Sequence, residues 1–166
     1  MHIKKISADK ILFFLFYICL MKKISFTNYQ APAFTFKNRT IVKQWLAKIM
    51  HEYGHTSFEM AYIFSNDDYV LGINQQFLQH DFYTDIITFD YSTKQKIESE
   101  IYISIDRIKE NATQLSLAFN EELHRVIAHG ALHLCGLKDK TKAQQAEMRH
   151  AENNALSLLK KMLSKK

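Results

Sequence analysis

The stretch from His129 to Asp139 reads HGALHLCGLKD, with two histidines four residues apart, a glycine three further on and an aspartate three beyond that. Residues four apart on an α-helix lie about 40° apart around the axis and one turn apart along it, so two imidazoles at this spacing can share one ion. A straight helix offers no third donor on that turn. Gly136 lets the chain fold back, and Asp139 returns a carboxylate. His129, His133 and Asp139 thus form a candidate metal centre whose donors suit Zn2+, with a fourth position left for water, as in catalytic zinc sites. A histidine pair alone fits a polar edge on a half-buried helix as well. The glycine and the carboxylate at these offsets turn the reading towards metal. Cys135 lies outside the spacing and reads as a small buried hydrophobe.

The pattern H-x-x-x-H-x-x-G-x-x-D has the offsets of the metzincin peptidase motif, with aspartate in the last place. Those peptidases carry a glutamate after the first histidine, which takes the proton from metal-bound water. Gly130 stands there in this chain, so a peptidase would lack its base. RNA asks less of a protein base, because its phosphodiester gains from Lewis-acid charge neutralisation and it brings its own 2′-hydroxyl. His124, five residues before His129, points about 140° away and is not expected to ligate.

These side chains need a helix to hold them. Asn120 is its expected N-cap, and Glu121 and Glu122 oppose the helix dipole. Leu123, Val126, Ile127, Ala131 and Leu134 face the core, and Gly136 ends the helix at C′. Thr141 and Gln144 make a capping box for a last helix with Met148, Ala155, Leu159 and Met162 on its core face. Glu147, Met148 and Glu152 read as helix surface and core. Upstream, residues 25–27, 58–65, 85–91 and 100–105 read as strands. Asn38 is placed to cap a helix with an apolar stripe of Ile41, Val42, Trp45, Leu46, Ile49 and Met50, and Asp67 to cap a short helix through Tyr69, Leu71 and Phe77. A further helix is expected over residues 106–118. Strands mixed with helices, and two helices at the end, predict an α/β or α+β domain with a small sheet.

The chain has 166 residues, 47% hydrophobic and 23% charged, with a net charge of +5, the profile of an ordinary globular protein. Its two cysteines, Cys19 and Cys135, make no disulfide framework and fit a reducing compartment. Residues 11–21 are unbroken apolar sequence, too short for a bilayer span of about 20 residues. They have the length of a signal-peptide core, but no small-residue cleavage site follows. Met21 reads as the working start, so residues 1–20 are expected to be an upstream extension and residues 21–166 a single domain.

Over residues 21–163 the sequence resembles the YbeY family of metal-dependent endoribonucleases. The family motif H-G-x-L-H-L-x-G-Y-D-H meets HGALHLCGLKD. Its N-x-x-Y-R followed by T-D-V-L-S-F meets Asn74, Phe77 and TDIITF at 84–89, and its G-D-I-x-I-S meets SEIYIS at 99–104. The resemblance implies a four-stranded mixed sheet with about five helices, one zinc ion, and a cytoplasmic single-strand-specific nuclease with no membrane role. The implied work is maturation of the 16S rRNA 3′ end and ribosome quality control, with ribosomal RNA and the small subunit or its proteins as partners. Two departures matter. Asp139 replaces the third histidine, which leaves the ion one formal charge less positive and lets Mn2+ compete better. Leu78 replaces the family's arginine. Arg125, four residues before His129, is expected to supply the missing guanidinium; pairing with Glu121 or Glu122 is the alternative. Asp85 and Glu100 are the candidate general bases, with Thr84 beside Asp85 as a water- or RNA-orienting group. A nonenzymatic ribosome-assembly factor, in which metal only fixes the last helices, is the rival reading, and a metallopeptidase the third.

Overall fold

The structure is a computed structural model that describes residues 22–31 and 33–165. The expectations for residues 1–20 lie outside the described residues. Strand β2 (Phe58–Ser65) alternates up to its last residue, with Phe58, Met60, Tyr62 and Phe64 buried on one face and Ser65 buried at the end. β1 (Lys22–Asn28) and β4 (Ile97–Ser104) run parallel on either side of it, and β3 (Ile86–Asp90) pairs antiparallel with β4 at the edge, giving the order β1-β2-β4-β3. The register sets Tyr62 opposite Ile101 and Ile101 opposite Thr88. Side chains alternate across a strand, so this register fixes which residues share the main core face. β4 starts three residues before the expected strand, because its pairing with β2 carries through the polar Glu98 and Ser99.

Among the described residues, five α-helices complete the α/β fold: α1 (Arg39–Glu52), α2 (Asp67–Ile73, continuing into a π-helical turn at Asn74–Leu78), α3 (Ile105–Gln114), α4 (Phe119–Leu134) and α5 (Lys142–Leu163). The α1 stripe packs as its spacing predicts, with Val42, Trp45, Leu46, Ile49 and Met50 buried. Two buried polar tips tie elements together. The Trp45 indole N–H donates to the Ala155 carbonyl of α5 at 2.7 Å, and the Tyr62 hydroxyl donates to the Ile127 carbonyl of α4 at 3.2 Å. Truncating Trp45 to alanine should cost about 3–5 kcal/mol and loosen α5 one turn from Glu152.

Three caps differ from expectation. Asn38 is left-handed at φ 55° and makes no side-chain cap bond. Asparagine tolerates that region, so it serves as a turn residue. Asn66 rather than Asp67 caps α2, accepting from the Tyr69 N–H at 3.0 Å. The Asp67 carboxylate instead takes the Arg107 guanidinium at 2.7 Å and the Ser104 hydroxyl. α4 starts two residues early, capped at Ala118 rather than Asn120: Ala118 is extended, and its carbonyl receives the Glu121 and Glu122 N–H groups. Thr141 and Gln144 do form the capping box of α5. Among the described residues, no helix is long and apolar enough to cross a membrane.

Candidate metal centre

The turn after α4 builds the site. Gly136 has φ +94°, and the chain closes a Schellman motif: Gly136 N–H donates to the His133 carbonyl at 2.9 Å and Leu137 N–H to the Leu132 carbonyl at 3.1 Å. Left-handed backbone of this kind favours glycine. The reversal aims the Leu137 carbonyl back at the helix, where it meets His133 Nδ1 at 2.9 Å. Two residues later Asp139 arrives beside both imidazoles.

His129 Nε2 and His133 Nε2 are 2.9 Å apart, and Asp139 Oδ2 lies 3.6 Å and 3.5 Å from them. Donors at 2.0–2.1 Å around a tetrahedral ion sit about 3.3 Å from one another, and the three separations bracket that figure. These atoms are therefore spaced to hold one metal ion, and the three residues form such a group. The protonation pattern agrees. Nδ1 of His133 faces a carbonyl and Nδ1 of His129 faces the Glu152 carboxylate at 2.8 Å. Both partners accept only, so each Nδ1 carries a proton, and in the neutral ring that leaves the Nε2 lone pair for a ligand. Two lone pairs 2.9 Å apart repel unless a cation lies between them.

Glu152 is buried, and three groups converge on it. Oε1 takes His129, while Oε2 lies 3.3 Å from Arg125 Nη1 and 3.2 Å from Arg149 Nη1. Burial works to raise its pKa, but the His129 bond and the two guanidinium groups prevail and hold it below the ordinary carboxylate range. A carboxylate on the far nitrogen of a ligating histidine fixes the tautomer and raises ligand basicity.

Comparison with known proteins fixes the lineage. The Endoribonuclease YbeY family model matches residues 24–160. The chain belongs to the YbeY family. Endoribonuclease YbeY of Porphyromonas gingivalis is 48% identical over 125 residues, covering 75% of this chain and 83% of that one. The Cytophaga hutchinsonii relative of the same name is 49% identical over 125 residues, 75% of this chain and 87% of its own. A solution structure from Thermotoga maritima matches the fold with a TM-score of 0.56 at 23% identity, covering 86% of this chain and 95% of that one.

The other residues singled out by YbeY resemblance or by spacing fall in different places. Asp85 is half-buried beside β3, accepts from the Asn111 amide at 3.1 Å, and has its pKa raised by burial against the opposing pull of His129. The Thr84 hydroxyl is turned to the Ile86 carbonyl at 3.2 Å. Glu100 is not brought to the triad. Ile101 packs against Gly130, so strand alternation sends Glu100 to the opposite sheet face. There it accepts the Tyr102 hydroxyl at 3.1 Å and lines a groove with Tyr69, Phe77, Phe89 and Tyr91. Arg125 is not a surface arginine. Its side chain is 13% exposed and bonds Glu152 and Asn153, with buried Glu122 at 3.8 Å.

Gly130 explains the missing glutamate. A Cβ there would stand 2.9 Å from Ile86 Cδ1 and 3.3 Å from Ile101 Cγ2, so the position faces the sheet. Cys135 is half-buried 3.7 Å from Met50 Sδ, and burial pushes its thiol up to about 12, which suits a packed hydrophobe and not a thiolate ligand. Sequence reasoning assigned Glu152 to helix surface and core and missed its bond to His129. The signal was present: it shares the apolar stripe of Met148, Ala155 and Leu159, where an unpartnered acid would be costly.

Proposed function

We propose that this chain is a metal-dependent endoribonuclease of the cytoplasm that cuts single-stranded segments of precursor ribosomal RNA, maturing the 16S rRNA 3′ end and taking part in ribosome quality control, with the small ribosomal subunit or its proteins as partner. Membership of a family of endoribonucleases supports the reaction class. The observation that carries the metal dependence is the pair of Nε2 atoms facing each other at 2.9 Å beside Asp139. Two imidazoles and a carboxylate suit Zn2+, and the oxygen donor favours Mn2+ as the competitor.

His129, His133 and Asp139 hold the ion, which when bound supplies Lewis-acid polarisation of a phosphoryl oxygen and an acidified water. Glu152 and the Leu137 carbonyl keep both imidazoles in the ligating tautomer. Asp85 is assigned the proton transfer, a reading supported by its carboxyl sensing the charge of His129. Its raised pKa brings it closer to neutral pH, where a general base is most effective. Gly130, lodged against Ile86 and Ile101, offers no room for a peptidase base.

The test is cleavage of a labelled single-stranded oligoribonucleotide by zinc- or manganese-loaded protein, with His133→Ala and Asp139→Ala in parallel. Wild type should cut the RNA and His133→Ala should not. Chelation should stop cleavage and leave the far-UV circular dichroism unchanged. A wild-type protein that never cuts but melts on chelation would replace this reading with that of a metal-stabilised assembly factor.

A further inference from the structure

A nuclease of this kind gains from a guanidinium beside the ion, because a planar fork of N–H donors matches two phosphate oxygens at once. The family's position for it holds Leu78, and Arg125 is buried among Glu122, Glu152 and Asn153. Arg149 is placed differently. It stands one turn before Glu152 on α5, its side chain is 59% exposed, and its Nη1 is anchored to Glu152 Oε2 at 3.2 Å. It lines one cavity of about 160 Å³ with His129, Asp139, Gln145, Met148 and Glu152.

We propose that Arg149 is a catalytic residue that grips a non-bridging oxygen of the scissile phosphodiester beside the metal triad. The proposal rests on the endoribonuclease reading. Three features converge on it. Glu152 holds the guanidinium at the cavity and so limits the side-chain entropy lost on binding RNA. Among the described residues Glu152 is its one ionic partner, shared with Arg125 and His129, so Arg149 keeps unspent donors and the least neutralised charge of the cluster. Asp139 has also lowered the charge of the triad by one relative to three histidines, and a cation in the same cavity restores the field that draws in a phosphate.

The experiment compares wild type, Arg149→Ala and Arg149→Lys on a labelled single-stranded oligoribonucleotide. Arg149→Ala should lower kcat by about 100-fold or more, the scale for losing one transition-state donor, with bound metal unchanged by mass spectrometry. Arg149→Lys should restore binding and only part of kcat, because the charge returns without the fork. In metal-free protein, the slope of log affinity against log salt for the same RNA should become shallower by about 0.7, the value for one lost single-strand phosphate contact. Wild-type kcat and an unchanged salt slope in Arg149→Ala would overturn the proposal. Loss of bound metal, with kcat restored by excess zinc, would overturn it in favour of a positioning role through Glu152. Should wild type itself fail to cut, the nuclease reading fails, and the salt slope alone still decides whether Arg149 holds phosphate.

Discussion

Helix α4 carries histidines on two of its faces, and the fold makes different chemistry of each. His124 is half-buried against the core, its ring 6.2 Å from those of both Phe36 and Trp45. Burial pushes its pKa down to about 4, so it is a neutral aromatic filler at working pH. His129 and His133 are 21% and 31% exposed, and each has a fixed acceptor on Nδ1. The residue type is the same, five positions along one helix. What differs is the phase about the axis and whether an acceptor assigns the proton. A histidine becomes a ligand here where a buried carboxylate or a reversed carbonyl holds its far nitrogen.

The largest expected contrast is in bound metal. His133→Ala should reduce zinc from about one ion per chain to none after gel filtration, since a three-ligand site loses one donor. His124→Phe, which keeps an aromatic ring against Trp45, should retain the full complement. Elemental analysis of the two variants side by side checks this. Zinc retained by His133→Ala, or lost by His124→Phe, would erase the distinction between the faces.

That distinction was only partly legible in the sequence. Helical phase was: the four-residue spacing of His129 and His133 and the five-residue offset of His124 follow from geometry alone. So was the Gly136 turn, and so was the buried stripe of α1. Caps were read less well, because Asn38, Asn66, Asp67 and Asn120 are all acceptable types and tertiary partners chose among them; Arg107 and Ser104 took Asp67. The Glu152 bond crosses from α5 to α4: the apolar stripe signals that the buried acid needs a partner, but local spacing does not say which helix supplies it. Glu100 shows the converse. Its block matched the family pattern, yet strand alternation, once Ile101 is seen against Gly130, puts it on the far side of the sheet.

The core face should show itself in acid. The folded pKa of His124 is about 4 against 6.5 for the free side chain. Between those values the unfolded chain binds a proton that the native state refuses, so stability is present above pH 6.5 and lost as pH falls towards 4. A displacement of this size amounts to about 3 kcal/mol at most. Urea unfolding of metal-free wild type near pH 7.5 and near pH 4.5 should therefore differ by about 2–3 kcal/mol more than the same pair of measurements on His124→Phe. An identical acid loss in both proteins would mean that His124 is hydrated and takes up its proton without unfolding.

The smallest effect tests the open face at its anchor. Glu152→Gln keeps an oxygen that can accept from His129 Nδ1 but removes the charge that Arg125 and Arg149 also use. Glu152→Ala removes both. Loss of an outer hydrogen-bond partner of a metal-binding histidine typically costs 10–100-fold in metal affinity, so the glutamine variant should weaken zinc binding by about 10-fold and the alanine variant by nearer 100-fold. Competition titration with a chromophoric chelator measures both. The gap between the variants reports how much of the anchor is direction and how much is charge. If alanine binds zinc as tightly as wild type, then exposure alone separates His129 from His124, and the carboxylate is there to neutralise Arg125 rather than to make a ligand.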